Sequence, residues 1–193
     1  LHLSIRRQRQ MCIRDSWEAL PKALRTYPAV VGAYAQRAAV LHWDDAAVHS
    51  LEQALDTQWD ESLVRLYGVL PLEKYDSRRA SAQRWLTQHP DSPGLLLTLA
   101  RLSRHQQQWS QAEEFLHRAL ANGAGADAWE ELGHGFAAAG DLLSAQHCYA
   151  NALRAARGEP VLEIMPQQSI RGPIVVAHET PPSGPITPDD RLV

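Results

Sequence analysis

The sequence predicts an all-α fold built of stacked antiparallel helix pairs, and two observations carry that prediction. Residues 126–153 place Trp129, Leu132, Gly133, Phe136, Gly140, Ala145, Tyr149 and Ala152 at the intervals of a helix, a tight turn and a returning helix. The same places recur upstream, with Ala112 standing 33 residues before Ala145. One such pair cannot bury its apolar face alone, so a neighbour must supply the other half of the core. Stacked helices are therefore expected over most of the chain.

At the N-terminal end, residues 1–16 (LHLSIRRQRQMCIRDS) show neither a helical nor a strand period and do not fit the repeat. The run RQRQMCIRDS resembles translated sequencing-adapter sequence, which makes this segment non-native or disordered. On that reading Arg6, Arg7, Arg9 and Arg14 form no nucleic-acid patch and Cys12 is not a functional thiol. The alternative is a short basic arm for an anionic partner. Residues 17–28, WEALPKALRTYP, read as the second helix of a unit whose first helix is missing. The array thus starts in mid-repeat, and the chain is expected to be a fragment.

A first full pair covers residues 28–55, with Tyr34, Ala35, Ala38, Ala47, Leu51, Ala54 and Leu55 at the repeating places. Residues 60–89 read as a divergent pair, with Leu63, Leu66 and Tyr67 on one helix and Ala82, Trp85 and Leu86 on the next. Their connection, GVLPLEKYDS, is long and carries the helix-breaking Pro71. In the next pair the places fall to Leu96, Leu99, Trp109, Ala112, Leu116, Ala119 and Leu120. There Ala100 replaces the small Gly133, and Gln107-Gln108-Trp109 replaces a Gly-Asp turn.

The last pair is the clearest. Trp129, Leu132 and Phe136 fall at i, i+3 and i+7, a stripe that packs inward. Gly133 lacks the Cβ that would keep a partner helix away, and Gly140 suits the positive φ that ends a helix. Ala145 is small where two helices cross, Tyr149 fills a wider gap, and Ala152 completes the stripe. These eight positions together resemble a tetratricopeptide (TPR) unit, and the implied architecture is a TPR-like α-solenoid over residues 17–157. Beyond it, Pro160, Pro166, Pro173, Pro181, Pro182, Pro185 and Pro188 punctuate residues 158–193. That Pro-rich tail is expected to be disordered, with Ile174-Val175-Val176-Ala177 as a linker or a docking segment.

Composition narrows the function classes. A net charge of −3 gives no general attraction for nucleic acid or anionic lipid. Cys12 and Cys148, far apart, suggest no disulfide framework, and Cys148 reads as a packing residue. His42 and His49 cluster with Asp44 and Asp45, but the acids suit helix capping and no metal-binding spacing is present. Glu113-Glu114 and Glu130-Glu131 read as solvated helix faces rather than acid/base pairs. No catalytic constellation emerges, and the chain is expected not to be an enzyme.

Helical-repeat stacks bind through a groove lined by the first helix of each unit. The repeat spacing predicts Gln36 and Val40 there, then Leu97, Arg101, Arg104 and His105, then Glu130 and His134. Arg101, Arg104 and His105 form a cationic strip suited to a carboxylate, from a peptide end or a porphyrin propionate.

A narrower resemblance rests on specific runs. These are W-x-x-LP-x-x-x-R-x-x-P from Trp17, WD-x-x-LV-x-LYG from Trp59 to Gly68, and A-x-R-WL-x-x-HPD-x-P-x-LLL-x-LARL. With QQWSQAEEFLHRAL at residues 107–120, they resemble the C-terminal region of the HemY family from about Trp17 to Arg157. The departure falls at Ser103-Arg104-His105, where relatives tend to a more apolar, Cys-containing stretch. The resemblance implies a bacterial inner-membrane protein linked to late haem biosynthesis. It also implies a repeat domain facing the cytoplasm by the positive-inside rule, with membrane attachment only through N-terminal helices missing from this chain. The implied partners are proteins, among them enzymes of porphyrin or haem synthesis, with no resident cofactor. A direct haem or porphyrin carrier and an envelope-assembly adaptor are the alternatives.

Overall fold

A computed structural model describes residue 13 and residues 15–162. Of the segment 1–16 expected to be non-native or disordered, residues 13, 15 and 16 are helical and the rest lie outside the described residues, as does the tail beyond residue 162. After a helical turn at residues 15–18 and a 3-10 turn (Leu24–Thr26), the chain forms α1 (Pro28–Val40) and α2 (Asp44–Thr57). Next come α3 (Glu61–Val69), α4 (Tyr75–Leu86), α5 (Pro93–His105) and α6 (Trp109–Ala121). The described residues close with α7 (Ala126–Ala138) and α8 (Leu142–Ala156), and they contain no strand. The fold is an all-α, TPR-like solenoid.

Local chemistry sets most of these boundaries. Pro28 and Pro93 open α1 and α5 in the first turn, where a missing N–H costs nothing. Asp60, Ser92 and Asp141 cap α3, α5 and α8, their side chains accepting from backbone N–H groups of the first turn. Within three pairs the turn between helices is the same. His42 (φ 57°), Gln107 (φ 60°) and Gly140 (φ 83°) take the left-handed region at corresponding places. The next residue then donates back into the first helix, from Trp43 N to Ala38 O, Gln108 N to Ser103 O and Asp141 N to Phe136 O, each at 2.9 Å. The sequence-predicted replacement of Gly-Asp by Gln107-Gln108 keeps the turn and accepts a strained φ at a side-chain-bearing residue.

Two expectations change. Residues 17–28 do not form one helix: Pro21 interrupts the first turn, and the chain re-enters only as the short 3-10 turn. Asp44 and Asp45 do not cap α2, whose N-cap is Trp43 with no side-chain bond. They sit in its first turn and face the α3–α4 connection instead. Asp44 Oδ2 accepts from Glu73 N at 3.1 Å, and Asp45 pairs with Lys74.

The repeat positions fill the core. Leu96, Leu99, Ala112, Leu116, Ala119, Leu132 and Ala145 are all buried, and Trp129 is nearly so. Phe136 and Ala152 are partly buried against the core, and Tyr149 lies over Gly133. A Cβ at Gly133 would stand 2.5 Å from the Tyr149 ring, so the missing side chain permits the crossing. Cys148 is buried, and burial pushes its thiol up to about 11. Between units, the Trp109 ring occupies the space a side chain at Gly135 would need and meets Phe136 edge-on at 5.7 Å.

The divergent pair is built differently. α3 and α4 pack little on each other, and each leans on α5 instead. Gly68 of α3 presses against Thr98, whose hydroxyl donates to Val64 O at 2.6 Å. The space between α3 and α4 holds Tyr67, Leu72, Trp85 and a fully buried Arg78. The Arg78 guanidinium donates to Leu72 O at 2.7 Å and to Tyr67 O, capping the exposed carbonyl end of α3. It also lies over the Tyr67 ring at 5.0 Å.

Candidate partner-binding site

The first helices of two adjacent units, α5 and α7, bring the predicted cationic strip against an acid. Arg101 Nε donates to Glu131 Oε1 at 2.7 Å, and Arg104 Nη2 lies 2.9 Å from Glu131 Oε2 outside hydrogen-bond geometry. The side chains of Arg101 and Glu131 are only 13% and 11% exposed, so this pair is screened little by water. Arg104, at 36%, is the wetter member. Glu131 was expected on a solvated face with Glu130; Glu130 is exposed, but Glu131 is turned inward by its helical phase beside Leu132.

The cluster carries two cations and one anion, and its hydrogen bonding is incomplete. Arg101 Nη1 and Arg104 Nε are buried donors without a bond, and Glu131 Oε2 is a buried acceptor without one. Arg25, Arg78 and Arg79 each carry such a nitrogen too, so what sets this cluster apart is that its open donors accompany a surplus positive charge. His105 adds a neutral ring, stacked on Tyr75 at 4.7 Å. Burial, then the Arg104 and Arg78 cations, hold its pKa below the usual histidine value. His134 meets Tyr149 edge-on at 5.6 Å and keeps a buried Nδ1 without a partner.

Other predicted groove residues separate from this cluster. Leu97 is fully buried, because α5 is enclosed by α3, α4, α6 and α7, leaving no open face at that phase; it cannot line a groove. Gln36 and Val40 are exposed on α1, in a different unit. A cavity of about 950 Å³ that neither of them lines is bounded by Trp17, Tyr34, His42, Trp43, His49 and Lys74 among others. Trp17 and Tyr34 stack there at 3.9 Å. Among the described residues no group of three or more His, Cys, Asp or Glu is placed to hold a metal ion.

Sequence reasoning missed the residues that join units. Glu61 receives Trp59 Nε1 at 2.9 Å, the Ser92 hydroxyl at 2.6 Å and Gly94 N at 3.0 Å, placing a carboxylate at the N-terminus of α5. Trp59 in turn stacks on His89 at 3.9 Å. Arg79 of α4 donates to Gln106, Gln108 and Gln111, tying the α5–α6 turn to the splayed pair. The WD-x-x-LV-x-LYG and HPD-x-P runs therefore encode a junction between units. No signal short of the packing distinguishes Glu61 or Arg78 from an ordinary surface charge.

This fold defines the chain as a TPR-like helical-repeat protein. It resembles the crystal structure of MamA, itself TPR-like, with a TM-score of 0.53 over 79% of this chain and 94% of that one at 13% identity. Likeness at that identity establishes the fold alone. No family model matches the chain, and no curated protein matches it. No helix among the described residues is long and apolar enough to cross a membrane.

Proposed function

We propose that this chain is a non-enzymatic scaffold of the HemY type, whose repeat domain faces the bacterial cytoplasm and holds a protein partner in late haem or porphyrin biosynthesis. The observation that carries the binding reading is the Arg101–Arg104–Glu131 cluster, with its surplus positive charge and two buried donors lacking acceptors. A carboxylate from a partner's acidic segment satisfies both donors, and Arg presents the forked geometry suited to it. Glu131 holds the two guanidinium groups in place before the partner arrives, so less ordering is left to binding. The sequence runs that resemble the HemY family support the choice of pathway.

Affinity capture from bacterial membranes tests this directly. The native chain is expected to retain an enzyme of porphyrin or haem synthesis, and Arg101→Glu/Arg104→Glu is expected to lose it. Recovery of envelope-assembly proteins instead would replace the haem assignment with the adaptor reading. A second reading, a direct haem carrier, draws on the neutral His105 ring beside two arginines. Haem titration separates it: a Soret shift lost in His105→Ala supports the carrier, and no shift at micromolar haem removes it.

A further inference from the structure

The chain beyond α8 does not leave the repeat domain at once. It turns at Gly158 (φ 71°) and runs back along α8 toward that helix's N-terminus. Arg154 Nε donates to Pro160 O at 2.6 Å. Asn151 then reads the next stretch of main chain with both ends of its amide. Its Oδ1 accepts from Leu162 N at 2.7 Å, and its Nδ2 donates to Leu162 O at 2.8 Å. His147 Nε2 lies 3.2 Å from the same carbonyl.

Three features make this more than a chain end at rest. Asn151 is fully buried, while Val161 and Leu162 are 44% and 47% exposed, so what α8 grips is backbone, not side chain. Both ends of the Asn151 amide bond one N–H and C=O pair, so any extended segment that presents the same pair satisfies them equally. The face also reaches past the contacts that Pro160–Leu162 make with it. The unit before shows what this face does: Trp109 of α6 is covered by Gly135 and Phe136 of the next unit. Its counterpart on α8 is Leu142, which with Leu143 stays uncovered at the end toward which the segment runs.

We propose that the outer face of α8 is a receptor slot for an extended peptide main chain. Pro160–Leu162 is its resident occupant, and a partner's extended segment with aliphatic side chains takes the slot by displacement. Recognition runs through Asn151, Arg154 and His147, and longer ligands gain further contact at Leu142 and Leu143. The site is separate from the Arg101 cluster, so either proposal can fail alone.

The test uses the full chain and a labelled synthetic peptide of residues 158–165. Leu162→Pro removes the N–H that Asn151 accepts and so frees the slot without touching α8. That variant is expected to bind the peptide about tenfold more tightly than the native chain, and adding Asn151→Leu is expected to abolish the gain. A gain that survives the loss of Asn151, or no gain at all, overturns the proposal. Hydrogen exchange on the unmodified chain decides the case even where a variant fails to fold. The Leu162 amide is expected to exchange at least about tenfold more slowly than in the free peptide. An equal rate removes the slot.

Discussion

The last helix pair and the splayed pair solve one problem in opposite ways. Between α7 and α8 the solution is subtraction: Gly133 gives up its side chain so that Tyr149 can lie across it. Between α3 and α4 the solution is insertion. A long connection holds the helices apart, and Arg78, Tyr67, Leu72 and Trp85 fill the opening. The first arrangement is indifferent to charge and repeats easily. The second depends on one buried cation whose only partners are carbonyls and aromatic faces, and it appears once among the described residues. A repeat thus tolerates deep divergence where a single side chain can replace a helix–helix contact.

Substitution at Arg78 breaks the comparison hardest. Arg78→Ala leaves Tyr67 O and Leu72 O without donors and opens a cavity, an expected loss of ~4 kcal/mol by urea unfolding. Arg78→Met keeps the volume and removes a buried charge, so it is expected to cost less than half as much. Equal losses would mean that volume, not capping, holds α3 in place. On the other side, Gly133→Val collides with Tyr149 and is expected to cost ~2–3 kcal/mol, with Tyr149→Ala in the same chain recovering part of it. No recovery would place the strain elsewhere in α7.

Smaller effects sharpen the picture at the boundaries. Asp60→Ala removes the side chain that accepts from Ser62 N and Leu63 N, with an expected loss of ~1 kcal/mol. Gln107→Gly relieves a left-handed backbone at the place Gly140 already occupies, with an expected gain of ~0.5 kcal/mol in thermal unfolding. The smallest effect concerns acidity. His105 has a folded pKa below its ordinary 6.5, so the unfolded chain takes up the proton first as pH falls. Stability is therefore expected to be level above that value and to decline below it, and His105→Gln is expected to flatten the decline. The change is shallow because the ring is partly wet.

How much of this was legible in the sequence follows from what each residue does. Apolar spacing announces helices because burial has to recur every three or four residues, and Leu96, Leu132, Ala112 and Ala145 are buried as that logic requires. The inter-helix turns were legible for the same reason, even where Gln107 stands in for glycine. Polar residues were not. Glu131 and Glu130 are identical neighbours in sequence, and only helical phase sends one inward to Arg101. Arg101 and Arg104 were found because they share a helix face, whereas Leu97 was misplaced because α5 is surrounded. Arg78 and Asn151 act on backbone carbonyls and amides, which leave no trace in residue spacing.

The Glu61 carboxylate has a mechanical consequence. It belongs to one unit and serves the first turn of the helix in the next, while Arg79 reaches still further to the α5–α6 turn. The neighbouring seams are stitched in the same way, by Arg101 on Glu131 toward the last pair and by Asp56 on Arg84 and Trp85 toward the first. Among the described residues a load on one helix pair is thus handed to the next through a side chain anchored in its neighbour, and no single pair carries it alone.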